Sequence, residues 1–245
     1  MASSPRFHIR NARVPDDVQF IVEAFDSTLP YLTSIGSGEQ WGSTPFSQKT
    51  GFTEETQQQL EQSAVYHSTG KGEALRVLIV EAVLATSPYD TPDLVPEACR
   101  SRRGSDGQWL VPVGAIVLRE GWVPKYIKSQ AHLDLASGGN NDDFVYIEVM
   151  ITDYRTGRHR DGAGGALIQA AIEYAKRKGK RRIYVDGWAG NDRKLVRYYA
   201  RSGFSIVGDY QLKRGNGTTW TGTLLQMDVG ETKPRAQGIM FDFDP

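Results

Sequence analysis

The chain has 245 residues, with 29 Lys and Arg balanced by 29 Asp and Glu, 39% hydrophobic residues and a single cysteine, Cys99. Zero formal charge removes any general attraction to polyanions, so nucleic-acid binding is not expected, and one thiol excludes an intramolecular disulfide and a zinc cluster built on several thiolates. No apolar run approaches the ~20 residues needed to span a bilayer and no secretory apolar region opens the chain, so the expectation is a cytoplasmic globular protein that does not enter membranes.

In chain order, residues 7–10 alternate as a short strand, and Pro15-Asp16-Asp17 opens a helix through Phe25 with Asp16 as its N-cap. Residues 33–51 are rich in Gly, Ser and Thr and read as a loop carrying Glu39, Gln40, Trp41 and Phe46; residues 53–66 read as a second helix. Strands follow at 75–85 and 109–118, separated by a Pro- and Gly-rich hairpin loop, 87–107, which holds Cys99. An irregular insert, 120–143, precedes the strongest strand, 144–151. Between Gly162 and Gly179 the positions Ala163, Ala166, Leu167, Ala170, Ala171 and Tyr174 repeat at helical spacing. A strand at 182–188, a helix at 192–202 stopped by Gly203, and strands at 204–211 and 219–229 complete the order β-α-α-β-β-β-α-β-α-β-β. This describes one mixed α/β domain over residues 1–229, with a tail, 230–245, that either docks on the body or hangs free.

Residues 151–168, Ile-Thr-Asp-Tyr-Arg-Thr-Gly-Arg-His-Arg-Asp-Gly-Ala-Gly-Gly-Ala-Leu-Ile, carry a strand through glycines directly into a helix N-terminus. Gly162, Gly164 and Gly165 lack the Cβ that would keep an anion from the backbone N–H groups. The helix dipole favours negative charge, and Arg158, His159 and Arg160 add positive potential. The turn reads either as a phosphate site or as a turn whose glycines serve close helix packing alone. No Gly-Lys-Ser/Thr follows, which sets aside a P-loop, and Leu167 stands where a Rossmann fingerprint has its third glycine.

In His159-Arg-Asp-Gly162-Ala-Gly164 the turn resembles the acetyl-CoA motif of the GCN5-related N-acetyltransferase (GNAT) superfamily, Gln/Arg-x-x-Gly-x-Gly/Ala, with His in the first position. The segment from Trp188 through Asn191 and Tyr199 to Gly203-Phe204 resembles the same superfamily's later motif, an Asn, a helix with Tyr, then Gly-Phe. The resemblance is close over 144–229, the motif-bearing core, and follows element order before it. It implies a GNAT acyl-CoA N-acyltransferase fold, a central, mostly antiparallel twisted sheet flanked by helices, with acetyl-CoA as co-substrate. It also implies phosphate contacts at Arg158, His159, Gly162, Ala163, Gly164 and Gly165. Backbone contacts to pantetheine would come from Val149, Met150 and Ile151, where their strand should splay from its neighbour. Asn191 matches a pantetheine-holding Asn, or is a helix cap. Tyr199, four residues before Gly203, falls where the superfamily has the acid that protonates the departing thiolate, and also counts among the cofactor contacts.

Attack of an amine on a thioester further requires loss of a proton from an ammonium. Glu148, alone in an apolar and aromatic strand and alternating onto one face with Tyr146 and Met150, is the candidate base, or else a partner of Arg10 or Arg119. Glu39, Gln40 and Trp41 combine an anion with an indole, the pairing that binds an amine, and Trp188 is a candidate wall of the same pocket, as are Trp122 and Trp220 if not core. The four histidines show no ligand spacing, so no metal is expected. The sequence thus points to an N-acetyltransferase acting on a small-molecule amine. The alternatives are a transferase for protein lysines or N-termini and a non-catalytic acyl-CoA-binding module; assembly as a homodimer is left open.

Overall fold

The computed structural model describes residues 5–88, 100–133, 135, 143–215, 217–231 and 238–243. Cys99, the glycine- and asparagine-rich end of the 120–143 insert up to Asp142, and tail residues 232–237 lie outside the described residues.

Among the described residues, nine strands form one mixed sheet: β1 (Phe7–Asn11), β2 (Leu75–Leu84), β3 (Arg102–Arg103), β4 (Trp109–Glu120), β5 (Phe144–Thr152), β6 (Arg182–Trp188), β7 (Ser205–Lys213), β8 (Thr219–Asp228) and β9 (Ile239–Asp242). The order across the sheet is β7-β8-β6-β5-β4-β2-β1-β9, with β3 paired to β4. Only β5 with β6 and β1 with β9 run parallel. The helices are α1 (Asp16–Ser34), α2 (Phe52–Thr69), the single turn α3 (Lys125–Lys128), α4 (Ala163–Arg177) and α5 (Gly190–Arg201). Among the described residues, no helix is long and apolar enough to cross a membrane.

Strands β2 and β4 are mostly apolar on both faces, Arg76 and Glu81 apart, because both faces are covered. Leu78, Val80, Ile116 and Leu118 face α4 and α5, whereas Leu75, Val77, Ile79 and Val117 face α1 and α2. Five buried alanines of α4, Ala163, Ala166, Ala170, Ala171 and Ala175, present little bulk to the sheet.

Several expectations are refined. Helix α1 runs past Phe25 to Ser34 through Pro30, and Asp16 makes no capping bond. Its neighbour Asp17 does the polar work, accepting from Arg13 N at 2.7 Å. The described part of the tail docks: β9 pairs with β1, and Phe243 is buried in the α4-side core. On β5 the alternation breaks. A bulge opposite Val117 and Leu118 makes Val149 follow Glu148 onto the α1-side face and turns Met150 to the α4 side, so Met150 does not share a face with Tyr146 as strict alternation requires.

Glu81, fully buried on β2, fastens the β1 end of the sheet. Its carboxylate accepts from Arg10 Nε at 2.6 Å and Arg102 Nη2 at 2.6 Å, and His8 Nδ1 lies 3.0 Å away. Arg10 also forks onto Asp17 of α1 at 2.6 and 2.9 Å. Burial opposes the Glu81 charge, but the hydrogen bonds from His8 and Arg102 and the charge of Arg10 outweigh it and hold the pKa down at about 2. A depressed carboxyl pKa contributes stability that is complete above the unfolded value and lost as pH falls through the folded one. Glu81→Gln should therefore cost about 3–5 kcal/mol in denaturant unfolding at pH 7, since two arginines lose their shared anion. The gap between wild type and variant should narrow as pH falls from 4.5 toward 2; a gap independent of pH would show that the charge does not matter.

Candidate active site

The site begins with a parting of strands. The parallel pairing of β5 with β6 ends at Ile147 and Val185. Beyond that pair, β5 continues to Thr152 on β4, and β6 continues to Trp188 on β8. The edge of β5 at Val149, Met150 and Ile151 that faces β6 therefore has no strand partner, which leaves peptide groups able to receive the amides of an extended ligand.

This cleft leads to the glycine turn. The residues between β5 and α4 coil as a 3₁₀ segment, Tyr154–Arg160, fixed by the Asp153 carboxylate, which accepts from Arg155 N at 3.0 Å. Arg160 lies 3.7 Å over the Tyr154 ring, which stacks on Tyr31 of α1. His159 Nε2 and Arg160 Nε are buried without a hydrogen-bond partner, a condition that a bound anion would relieve. Gly162 is left-handed, φ 88°, and starts α4, whose first turn carries Ala163, Gly164 and Gly165. A Cβ on Gly164 would stand 2.5 Å from the hydroxyl of Tyr198, whereas one on Gly165 would meet nothing within 4 Å. Gly164 thus admits the α5 tyrosine, and Gly165 borders open space beside Ala166, Gln169 and Ser202. Orphaned donors, exposed glycines and an unpaired strand edge fit the phosphates and pantetheine of an acyl-CoA.

Helix α5 roofs the cleft. The Tyr199 ring packs against Phe204 and lies 3.5 Å from a Cβ built on Gly187, the second residue of β6 past the parting. Burial pushes its hydroxyl well above the ordinary tyrosine value, with the charges of Tyr198 and Asp186 adding to the shift, so it stays protonated. Asn191 is engaged elsewhere: Nδ2 donates to Ile35 O at 2.7 Å and Ser37 Oγ at 2.6 Å. It ties the loop after α1 to the start of α5, and this occupies the amide that the motif assigns to pantetheine. Asn191, Asp192 and Arg193 all take left-handed φ of 49–58°. For non-glycine residues this costs of order 1–3 kcal/mol each and is held by the surroundings.

On the opposite face of the sheet, Glu148 accepts from Arg119 Nε at 2.6 Å, and Arg119 also grips Glu73 at 2.6 Å. Of the two readings of this residue, the ion pair is the one present. Asp186, on β6, accepts hydrogen bonds from the hydroxyls of Tyr146, Tyr210 (2.6 Å) and, weakly, Tyr126 (3.4 Å). Past Trp188 a groove of about 470 Å³ opens, lined by Glu39, Trp188, Arg214 and Trp220 among others. Gln40 is not among the lining residues, but its carbonyl accepts from two that are, Arg214 Nη2 at 3.0 Å and Trp220 Nε1 at 3.2 Å. Trp41 does not line it; the indole packs with Phe25 and Phe46 at ring distances of 5.3 and 5.5 Å, where burial of aromatic surface outweighs exposure. Among the described residues, no group of three or more His, Cys, Asp or Glu could hold a metal ion.

Sequence reasoning missed Asp186, its tyrosines and Arg214. A signal for Asp186 was there: a lone carboxylate alternating with Tyr184 and Trp188, the pattern that singles out Glu148.

The profile of the acetyltransferase (GNAT) family matches residues 104–204, which contain the parting, the glycine turn and Tyr199. The matched segment is thus similar to a GNAT acetyltransferase domain, and one of the structures of this fold holds acetyl-CoA. Among solved structures, YncA from Salmonella typhimurium, described as an acetyltransferase and solved with acetyl-CoA, is 15% identical over 95% of this chain and 98% of its own, with a TM-score of 0.51. A spermidine N-acetyltransferase from Vibrio cholerae, solved with CoA and spermine, is 16% identical over 92% and 97%, with a TM-score of 0.50. A protein from Desulfovibrio desulfuricans described as a GNAT-family acetyltransferase is 12% identical over 91% and 99%, with a TM-score of 0.52. These likenesses establish the fold. No curated protein matches the chain.

Because a Cβ on Gly165 meets nothing in the protein, Gly165→Val should keep the melting temperature of the free protein. It should also remove most of the stabilisation by acetyl-CoA, which at 100 times the dissociation constant is ~2.7 kcal/mol. An undiminished ligand shift in the variant would place the phosphates elsewhere.

Proposed function

We propose that the protein transfers the acetyl group of acetyl-CoA to the primary amine of a small-molecule acceptor by direct attack. The supporting observation is the bridge at Gln40. Its carbonyl is held by Arg214 and Trp220, so the loop after α1 is fastened to the β7–β8 hairpin across the groove. A volume of about 470 Å³ bridged in this way suits a small ligand, whereas an extended polypeptide needs an open trough. Glu39 supplies an anion and Trp188 and Trp220 supply indole faces, a combination that complements an ammonium.

Acetyl-CoA supplies the acyl group as a thioester and leaves as the thiol. In this reading the unpaired edge of β5 and the glycine turn hold it, with His159 and the first turn of α4 at its phosphates. Tyr199 gives its hydroxyl proton to the departing sulfur, a role suited to a hydroxyl that burial keeps protonated. Arg119 keeps Glu148 in place at the opposite lip of the cleft and balances its charge.

The test is release of free thiol from acetyl-CoA in the presence of spermidine, tyramine, lysine methyl ester or a lysine-containing peptide. One of the small amines should outcompete the peptide; the reverse order would replace this reading with protein acetylation. With that amine, Tyr199→Phe should lower turnover ~10²–10⁴-fold and leave the acetyl-CoA dissociation constant unchanged. Glu39→Gln should raise the amine KM with little change in turnover. Full turnover in Tyr199→Phe under chemistry-limited conditions would overturn the acid assignment.

A further inference from the structure

We propose that Asp186 is the carboxylate that receives the acceptor's ammonium and takes its proton, an inference that rests on the reading of the protein as an amine acetyltransferase. The register places it there. The last pairs of β5 with β6 are Tyr146 with Tyr184 and Ile147 with Val185, so Glu148 and Asp186 are the first residues past the parting on their strands. They share the face away from α4 and α5, since Asp186 is bonded by the Tyr146 hydroxyl and Glu148 follows two residues after Tyr146. Gly187, next on β6, turns to the other face and underlies Tyr199. A carbonyl in the cleft thus has the proposed acid on one side and Asp186 on the other.

The partners of the two carboxylates decide between them. Glu148 is neutralised by Arg119 at 2.6 Å. Asp186 has no Lys, Arg or His within salt-bridge distance among the described residues; its hydrogen-bond partners are neutral tyrosine hydroxyls. Tyr146 and Glu148 face it from β5, Tyr126 from α3, Tyr210 from β7, Leu224 and Gly222 from β8, and Tyr199 stands behind Gly187 on α5. A carboxylate without a cation, walled by tyrosine rings, attracts an ammonium both through its charge and through the ring faces. Burial raises its pKa above the ordinary aspartate value, with the three tyrosine hydrogen bonds opposing, which makes the carboxylate a stronger proton acceptor. In the step itself an ammonium N–H bond breaks. The proton passes to an Asp186 oxygen and the electron pair stays on nitrogen, free to form the new bond.

Two measurements test this. In thiol release with the best amine of the panel, Asp186→Asn should lower kcat/KM ~10²–10⁴-fold at neutral pH. The loss should shrink toward high pH, where free amine is abundant, and the acetyl-CoA dissociation constant should not change. Asp186→Glu should restore part of the rate, and Glu148→Gln should lose less than Asp186→Asn. A loss uniform across pH, or a larger loss in Glu148→Gln, overturns the proposal. The second measurement does not depend on turnover: a carboxyl-carbon NMR titration of aspartate-labelled wild type should show a midpoint that is absent in Asp186→Asn and that spermidine moves to lower pH, because bound ammonium favours the carboxylate. If wild type acetylates no amine yet spermidine moves the midpoint, acetyl transfer falls and the ammonium site stands. A midpoint unmoved by spermidine, tyramine and lysine methyl ester overturns the site.

Discussion

Everything at the site follows from one interruption of hydrogen bonding. A parallel pair normally continues until one strand ends, but β5 and β6 part after Ile147 and Val185 while both go on, each held by its other neighbour. Antiparallel pairing with β4 and β8 makes this affordable, because each strand keeps a full ladder on one side and loses it only toward the cleft. The bulge opposite Val117 and Leu118 falls at the same level and re-aims β5 as it diverges. Backbone groups that a sheet would satisfy internally are thereby left for a ligand, at a cost that the flanking ladders offset.

The second constraint is how the loop after α1 is held against α5. Three left-handed residues, Asn191 to Arg193, open α5, a conformation the chain adopts only under restraint. The restraints are specific. Asn191 and Lys194 both donate to Ile35 O, and Arg193 forks onto Asp209 at 2.8 and 3.0 Å and reaches Thr223. One strained turn therefore connects the loop after α1, the helix bearing Tyr199, and the β7–β8 hairpin. A shift of the loop around an acceptor would be felt at α5, because the same carbonyl carries two donors from that helix.

The strands and helices were legible where apolar residues recur at a period of two or near 3.6, as in β2, β5 and α4. What escaped was pairing. Ile239 to Asp242 is too short to read as a strand, and its partner β1 lies at the other end of the sequence. The bulge that separates Met150 from Tyr146 depends on β4 and leaves no mark in β5 itself. Tyr199 and the glycine turn could be singled out as candidates because their spacing is local. Trp41 shows the converse. Its loop composition suits an amine site, and only Phe25 and Phe46, distant in sequence and adjacent in space, decide that it packs. The base has the same difficulty. Nothing local separates Glu148 from Asp186; an arginine from β4 beside one, and tyrosines from three other elements around the other, make them different chemically.

That difference has a structural logic. Amine acylation needs a proton acceptor for the nucleophile and a proton donor for the leaving sulfur, held close but kept from neutralising each other. On β6, Asp186 and Gly187 are consecutive, so the pleat sends the carboxylate to one face while the glycine leaves room on the other for the Tyr199 ring. The sheet itself separates the two groups. They still sense each other electrostatically, because the Asp186 charge adds to the burial that keeps Tyr199 protonated. An ionised Asp186 thus disfavours loss of the Tyr199 proton, and once Asp186 has accepted a proton that restraint is lifted. A proton arriving on one face would therefore ease donation on the other, in the order that attack followed by departure requires.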